Sequence, residues 1–307
     1  YTNFLINDFD WNYNDINFES GIKGKILGNL KNINYETKNV ETYKSRTTNE
    51  LFGALGFLTE LTMQKNLAGS NHFLTPKTLF RYSPGSMRKD LNAFRLNPTK
   101  AFNLNRLENM NNYETGLSST IGFDYKIKND KNNSEFDFSI AQVINEKENK
   151  KMPTESSLDE KLSDLVGHTD FKLNDNVNLN YSFSLDQNYN DFNYNEFGTS
   201  LNYNKINFDF SYLQENKHIG NQEYFNTKID YNKSQNSLIS IETKRNLITN
   251  SAEFYNLSYE YLNDCLRAGL VYRREFYNDS ELEPENSLMF KITLVPFGNI
   301  NSPSFSR

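Results

Sequence analysis

The sequence predicts an all-β protein: an antiparallel meander of about fifteen strands folded as a transmembrane β-barrel. Three observations carry that expectation. Apolar residues recur with a period of two, as in Val177/Leu179/Tyr181/Phe183/Leu185 and Ile206/Phe208/Phe210/Tyr212, and the residues between them are Asn, Ser or Asp throughout. Mean hydropathy is -0.75 and only 36% of residues are hydrophobic, yet the chain holds 24 Phe and 19 Tyr. Disordered chains are poor in aromatics, whereas a wall with lipid on one side and water on the other needs only every second strand residue to be apolar. Finally, the connections alternate in length: 84–112 is long, 128–134 short, 145–165 long and 174–175 short, and the contrast continues with smaller margins to 278–285. Long loops on one rim and short turns on the other suit a membrane barrel, and a soluble sandwich or propeller gives no reason for them.

Taken in order, residues 1–11 and 16–27 read as the first strands, with Asp8 and Asp10 crowding the end of the first. Gly28 then opens an Asn- and Lys-rich piece to residue 49 that reads as connection. Residues 51–63 form the most apolar segment, and Gly53 and Gly56 would weaken a helix there, so a strand is expected, followed by a turn at 66–71 and a strand at 73–82. Further strands are expected at 113–127, 135–144, 166–173, 176–187, 192–203, 206–215, 222–231 and 237–245. Three more close the chain, with Tyr255/Leu257/Tyr259/Tyr261, Leu266/Ala268/Leu270/Tyr272 and Leu288/Phe290/Ile292/Leu294 as their apolar faces. Ser157-Leu158-Asp159-Glu160 fits a capping box, and Leu158, Leu162, Leu165 and Val166 share one helical face, which predicts a short helix inside a loop. Bacterial single-chain barrels have even strand numbers, so an odd count suggests an N-terminally truncated part of a larger barrel, an open curved sheet. On this reading residues 1–307 are one barrel domain.

Several function classes are disfavoured. No run of 18 apolar residues exists to form a spanning helix. The net charge of -6 argues against nucleic acid as a partner. His72, His168 and His218 are scattered without metal-ligand spacing, and there is no Gly-rich phosphate loop, nucleophile elbow or Cys/His pair. Neither catalysis nor a cofactor is expected.

A resemblance adds to this. Tyr259-Glu260-Tyr261-Leu262-Asn263-Asp264-Cys265-Leu266, Tyr272-Arg273-Arg274-Glu275-Phe276, Glu283-Pro284 and the strand to Gly298 are similar to the C-terminus of the LptD family of lipopolysaccharide-assembly proteins, in particular its alphaproteobacterial branch. Upstream, Leu74-Thr75-Pro76, Phe80-Arg81-Tyr82-Ser83-Pro84, Ala141-Gln142-Val143 and the run from Leu158 to Gly167 resemble the same family in the same order. The resemblance implies an outer-membrane barrel that inserts lipopolysaccharide through a lateral gate, a periplasmic domain absent from this sequence, and as partners the plug lipoprotein LptE, the periplasmic Lpt bridge and the barrel-assembly machinery. The residues alone leave a solute porin or receptor barrel open. With the resemblance, 287–297 is expected to be the closing strand with a free edge, Leu288, Phe290, Ile292 and Leu294 facing lipid at the gate. Arg81, Arg88, Lys89, Arg95, Lys100 and Arg106 lie in a basic stretch that is either a solvated loop or a rim meeting phosphate-rich headgroups. Cys265, the single cysteine, falls by loop parity on the periplasmic rim, and the resemblance implies a disulfide to an N-terminal region outside this sequence.

Overall fold

The computed structural model describes residues 2–38, 43, 47–67, 69–129, 133–263, 266–276, 285–294, 298–301 and 305–306. The wall begins with β1 (Thr2–Asn17), β2 (Lys23–Thr37), β3 (Thr48–Glu60), β4 (Met63–Leu67), β5 (Ser70–Ser83), β6 (Gly116–Asn129) and β7 (Ser134–Asn145). It continues through β8 (Leu165–Asn174), β9 (Val177–Leu185), β10 (Phe192–Tyr203), β11 (Ile206–Glu215), β12 (Gln222–Ser234) and β13 (Ser237–Asn246). It ends with β14 (Ser251–Leu262), β15 (Leu266–Glu275), β16 (Glu285–Leu294) and the short β17 (Gly298–Asn301) and β18 (Phe305–Ser306). Each long strand pairs antiparallel with its sequence neighbours. β3 and β4 both pair with β5 and share one position, so β1 to β16 fill fifteen positions. Among the described residues no pairing joins β1 to the last strands, so the sheet is open.

The registers sort side chains onto two faces. On the outside lie Leu5, Phe9 and Trp11 of β1, Leu51 and Leu55 of β3, Phe80 and Tyr82 of β5, Tyr255, Leu257 and Tyr259 of β14, and Leu288 and Phe290 of β16, all large, apolar and exposed. Such a band on a soluble protein would be an aggregation surface, whereas facing lipid it is the expected exterior of a membrane barrel. The inner face of β9 to β14 reads Asn178, Asn180, Ser182, then Asp209, Ser211, then Lys228, Asp230, then Ser240, Glu242, then Asn256, Ser258. Ion pairs are made there, as between Lys228 and Asp230 at 2.8 Å. No helix among the described residues is long and apolar enough to cross a membrane.

Two glycines explain themselves on the outer face. Gly28 lies opposite Trp11, whose indole rests on it so closely that a Cβ would come within 2.0 Å of the ring. Gly167 takes the ring of its cross-strand partner Phe183 in the same way. Gly28 therefore sits inside β2, where the sequence suggested a connection. The early boundaries need correcting too, because residues 16–27 do not form one strand: β1 runs to Asn17, and the chain reverses through Phe18 and Gly21, whose φ is +83°. Glu19-Ser20-Gly21 is the turn signal that this reading missed.

Two more expectations are overturned. The loop helix after Ser157 does not form: a 3₁₀ turn spans Thr154–Ser156, Ser157 is left-handed, and its hydroxyl accepts from the distant Asp164 N–H instead of capping a helix. Leu158 is drawn into an apolar cluster, while Val166 belongs to β8. Nor does β16 keep a free edge. One side pairs with β15, and the other is covered by β17 from Lys291 to Leu294 and by β18 at Ser287 and Leu288, because the chain turns back on itself.

Connection lengths follow the expected parity. Among the described connections, 84–115, 146–164, 186–191, 216–221 and 247–250 lie on one rim, and turns as short as 175–176, 204–205 and 235–236 on the other. Asn204 supplies a left-handed residue, φ 53°, in one of the tight turns, which Asn tolerates better than most. If the outer face meets lipid, Leu257→Arg at the middle of β14 should lower stability in lipid vesicles by about 2–4 kcal/mol, whereas Ser258→Arg on the inner face should cost far less. Denaturant titration of both variants checks the pair.

Candidate functional site

The lumen is not empty. From the long-loop rim, segments 84–115 and 146–164 fold inward and pack on the inner face of the wall. Met87, Phe94, Leu96, Ala101 and Leu107 from the first, with Met152 and Leu158 from the second, bury against Ala141 and Val143 of β7 and Val166 of β8. That is why the inner face turns apolar there: it meets a plug, not water. The short helix α1 (Pro98–Ala101) sits inside the first segment, capped by the Asn97 side chain, which accepts from the Lys100 N–H at 2.7 Å. Asn97-Pro98 is an N-cap followed by an N1 proline, a signal present in the sequence and overlooked in reading it. A second cluster seats Tyr113 on Phe52, Ala54, Ile33 and Tyr35 of β2 and β3.

Buried charges fix the plug at two places. The first is Glu114 between two arginines. Arg106 donates to it from Nε at 2.8 Å and also from Nη2, which reaches Ser118 Oγ at 3.0 Å. Arg81, projecting from β5, stands 3.7 Å from the same carboxylate and donates to the backbone oxygens of Leu104 and Glu114. All three side chains are almost fully buried. Burial alone would raise the pKa of Glu114, but the charges of Arg106 and Arg81 and the Arg106 hydrogen bonds outweigh it and hold the carboxyl below its usual range. The second anchor joins Asp164, at the end of 146–164, to His218 and Lys217, and His218 in turn to Glu215. Arg95 of the first segment pairs with Glu215 at 3.3 Å and lies over the Tyr194 ring.

The six basic residues of the sequence reading are therefore mostly engaged within the chain. Arg81 and Arg106 offer no surface to an outside group, and Arg88 pairs with Glu50 and lies over Tyr35 and Tyr43. Arg95 is held by Glu215, Lys100 by Glu108 at 2.6 Å, and Lys89 is exposed. Sequence reasoning found these cations and missed their carboxylates, Glu50, Glu114 and Glu215, because they sit in strands and loops read separately, Glu215 as far as 120 residues from Arg95. Leu288 and Phe290 are exposed on the outer face of β16 and Ile292 shares that face by register; Leu294 closes the strand beside Gly298. Cys265 lies outside the described residues. No group of three His, Cys, Asp or Glu able to hold a metal occurs among the described residues.

A cavity of about 590 Å³ remains between the plug and the wall, lined by Phe94, Arg95, Leu96, His168, Ser182 and Tyr194. A wall polar on its inner face and apolar on its outer face fits a membrane barrel, and comparison with known proteins gives its family. The family model for LPS transport system D, LptD, matches residues 24–238, well over half of the chain. The chain belongs to the LptD family. LptD is a transport family, and its place in lipopolysaccharide transport agrees with the resemblance read from the sequence. No curated protein matches. Among solved structures, a triple mutant of the Rhodopseudomonas blastica porin aligns over 99% of this chain and 100% of its own at 10% identity and a TM-score of 0.35. A second engineered variant of that porin aligns over 93% and 100%, at 10% identity and a TM-score of 0.36.

Removing the carboxylate from the first anchor leaves two buried arginines without their counter-charge. Glu114→Gln should destabilise the protein by about 3–5 kcal/mol and expose the 84–115 segment to protease, read by thermal unfolding and limited proteolysis.

Proposed function

We propose that this chain is the barrel portion of a lipopolysaccharide translocon in the Gram-negative outer membrane. The family match carries the reading, and the two-faced wall supports it. An amphiphile with a phosphorylated glycan head and acyl tails needs both environments: a hydrated inner wall for the head and a way to lipid for the tails. The inner face of β9 to β14, with its amides, hydroxyls and mixed charges, is suited to the head. We place the lateral exit, as part of this proposal, beside the closing strands β16 to β18. The proposed gate residues are Leu288, Phe290 and Ile292 on the outer face of β16, with Leu294 at the end of that strand. Of the six basic residues, Lys89 is the exposed one and the candidate for headgroup contact.

By the family's nature the partners are lipopolysaccharide, the plug lipoprotein LptE, the periplasmic Lpt bridge and the barrel-assembly machinery. A photo-crosslinking residue at inner position Ser258 should label lipopolysaccharide during transport in cells, and one at outer position Leu257 should not exceed bulk-lipid labelling. Equal background labelling at both, together with solute conductance by the purified full-length protein, would replace this function with a porin's. For Cys265, proposed to be disulfide-bonded to an N-terminal region of the full-length protein, a non-reducing gel is decisive. Cys265→Ser should abolish the mobility difference between reduced and unreduced samples, and a parent protein without any such difference refutes the bond.

A further inference from the structure

His218 is buried, and neither ring nitrogen faces water: Nδ1 is 3.1 Å from Glu215 Oε1 and Nε2 is 3.0 Å from Asp164 Oδ2. Ionised carboxylates only accept hydrogen bonds, so both nitrogens must carry protons for both contacts to be made. A neutral imidazole has one N–H and leaves the other lone pair against a carboxylate oxygen. The oxygens have little freedom to turn away. Asp164 also accepts from Asn193 Nδ2 at 2.8 Å and Ser184 Oγ at 3.0 Å, and Lys217 Nζ lies 3.4 Å away. Glu215 accepts from the His218 and Lys217 N–H groups at 2.8 and 3.0 Å and faces Arg95. From β10, Tyr194 stacks on Arg95 and donates to Glu196.

We propose that Asp164, His218 and Glu215 form a proton-binding latch that fastens the plug to the wall. With the imidazolium in place, 146–164 is tied through Asp164, and 84–115 through Arg95 and Glu215, to the long-loop ends of β10 and β11. When the proton leaves to solvent, one nitrogen-to-carboxylate bond is lost and a lone pair is set against an anion in a buried site. Lys217 and Arg95 still balance the two carboxylates in charge, so the latch loosens without the wall coming apart. Burial would lower the pKa of His218, but the hydrogen bonds and charges of Asp164 and Glu215 outweigh it and the net shift is upward. A raised folded-state pKa contributes stability that is complete below the ordinary histidine range and lost as pH rises through the raised value. Release therefore comes as pH rises above the ordinary histidine range. The latch does not depend on which cargo the barrel carries.

Hydrogen exchange on the intact protein in detergent or nanodiscs, corrected for the intrinsic rate, tests it. Between about pH 6 and about pH 9, exchange in 146–164 and 84–115 should accelerate by roughly tenfold for each unit by which the pKa is raised, with β12 to β14 unchanged. His218→Gln carries no titrating ring and should remove the pH dependence. The same acceleration in wild type and variant, or none in wild type, overturns the latch. Should His218→Gln fail to fold, the ring-proton titration of His218 in the wild-type protein decides, since a midpoint below about 6.5 is incompatible with it.

Discussion

A chain that faces lipid must satisfy every backbone N–H and C=O within its own sheet, because hydrocarbon offers no partner. The rest of this structure depends on that constraint. It explains the unbroken succession of neighbour-to-neighbour antiparallel pairings and the side-chain alternation that lets so polar a sequence present an apolar exterior. It also explains why residues that would break a strand are put to use. Gly28 and Gly167 leave room for Trp11 and Phe183, which turns a gap in the lipid-facing surface into ring contact.

The wall was legible in the sequence because its signals are local. Val177 to Leu185 and Ile206 to Tyr212 announce their faces within nine residues, and connection length alone places them on a common rim. Fifteen wall positions follow from such patterns. The plug was not legible, since its rules are those of a small globular core. Ser157 to Glu160 has the form of a helix start, yet Leu158 gains more by joining Met152 and Phe94 than a single helical turn would return. In the same way Arg81 reads as one of a run of loop cations until the fold brings Glu114 across from another segment. The reversal after β16 was missed for lack of any pattern, two- and four-residue strands being too short to show a period.

Burial of so many charges beside a wet wall has a specificity argument behind it. A plug held by apolar contact alone can slide along a lumen whose lining repeats every two residues. Arg106 and Arg81 on Glu114, and Arg88 on Glu50, each need one partner in one geometry and forfeit much of their hydration elsewhere. The apolar patch of Ala141, Val143 and Val166 supplies attraction, and the ion pairs supply register.

The plug also bears on shape. Hydrogen bonding in the wall links each strand only to its neighbours, so nothing in the ladder lets β3 sense the position of β11. The inward segments span that distance: Arg88 grips Glu50 of β3, while Arg95, seven residues later, grips Glu215 at the end of β11. A flexible ribbon of hairpins is thereby clamped around a solid former, as a sheet is rolled on a mandrel. The radius of the curved wall is set from within, by loop residues that contribute no strand to it.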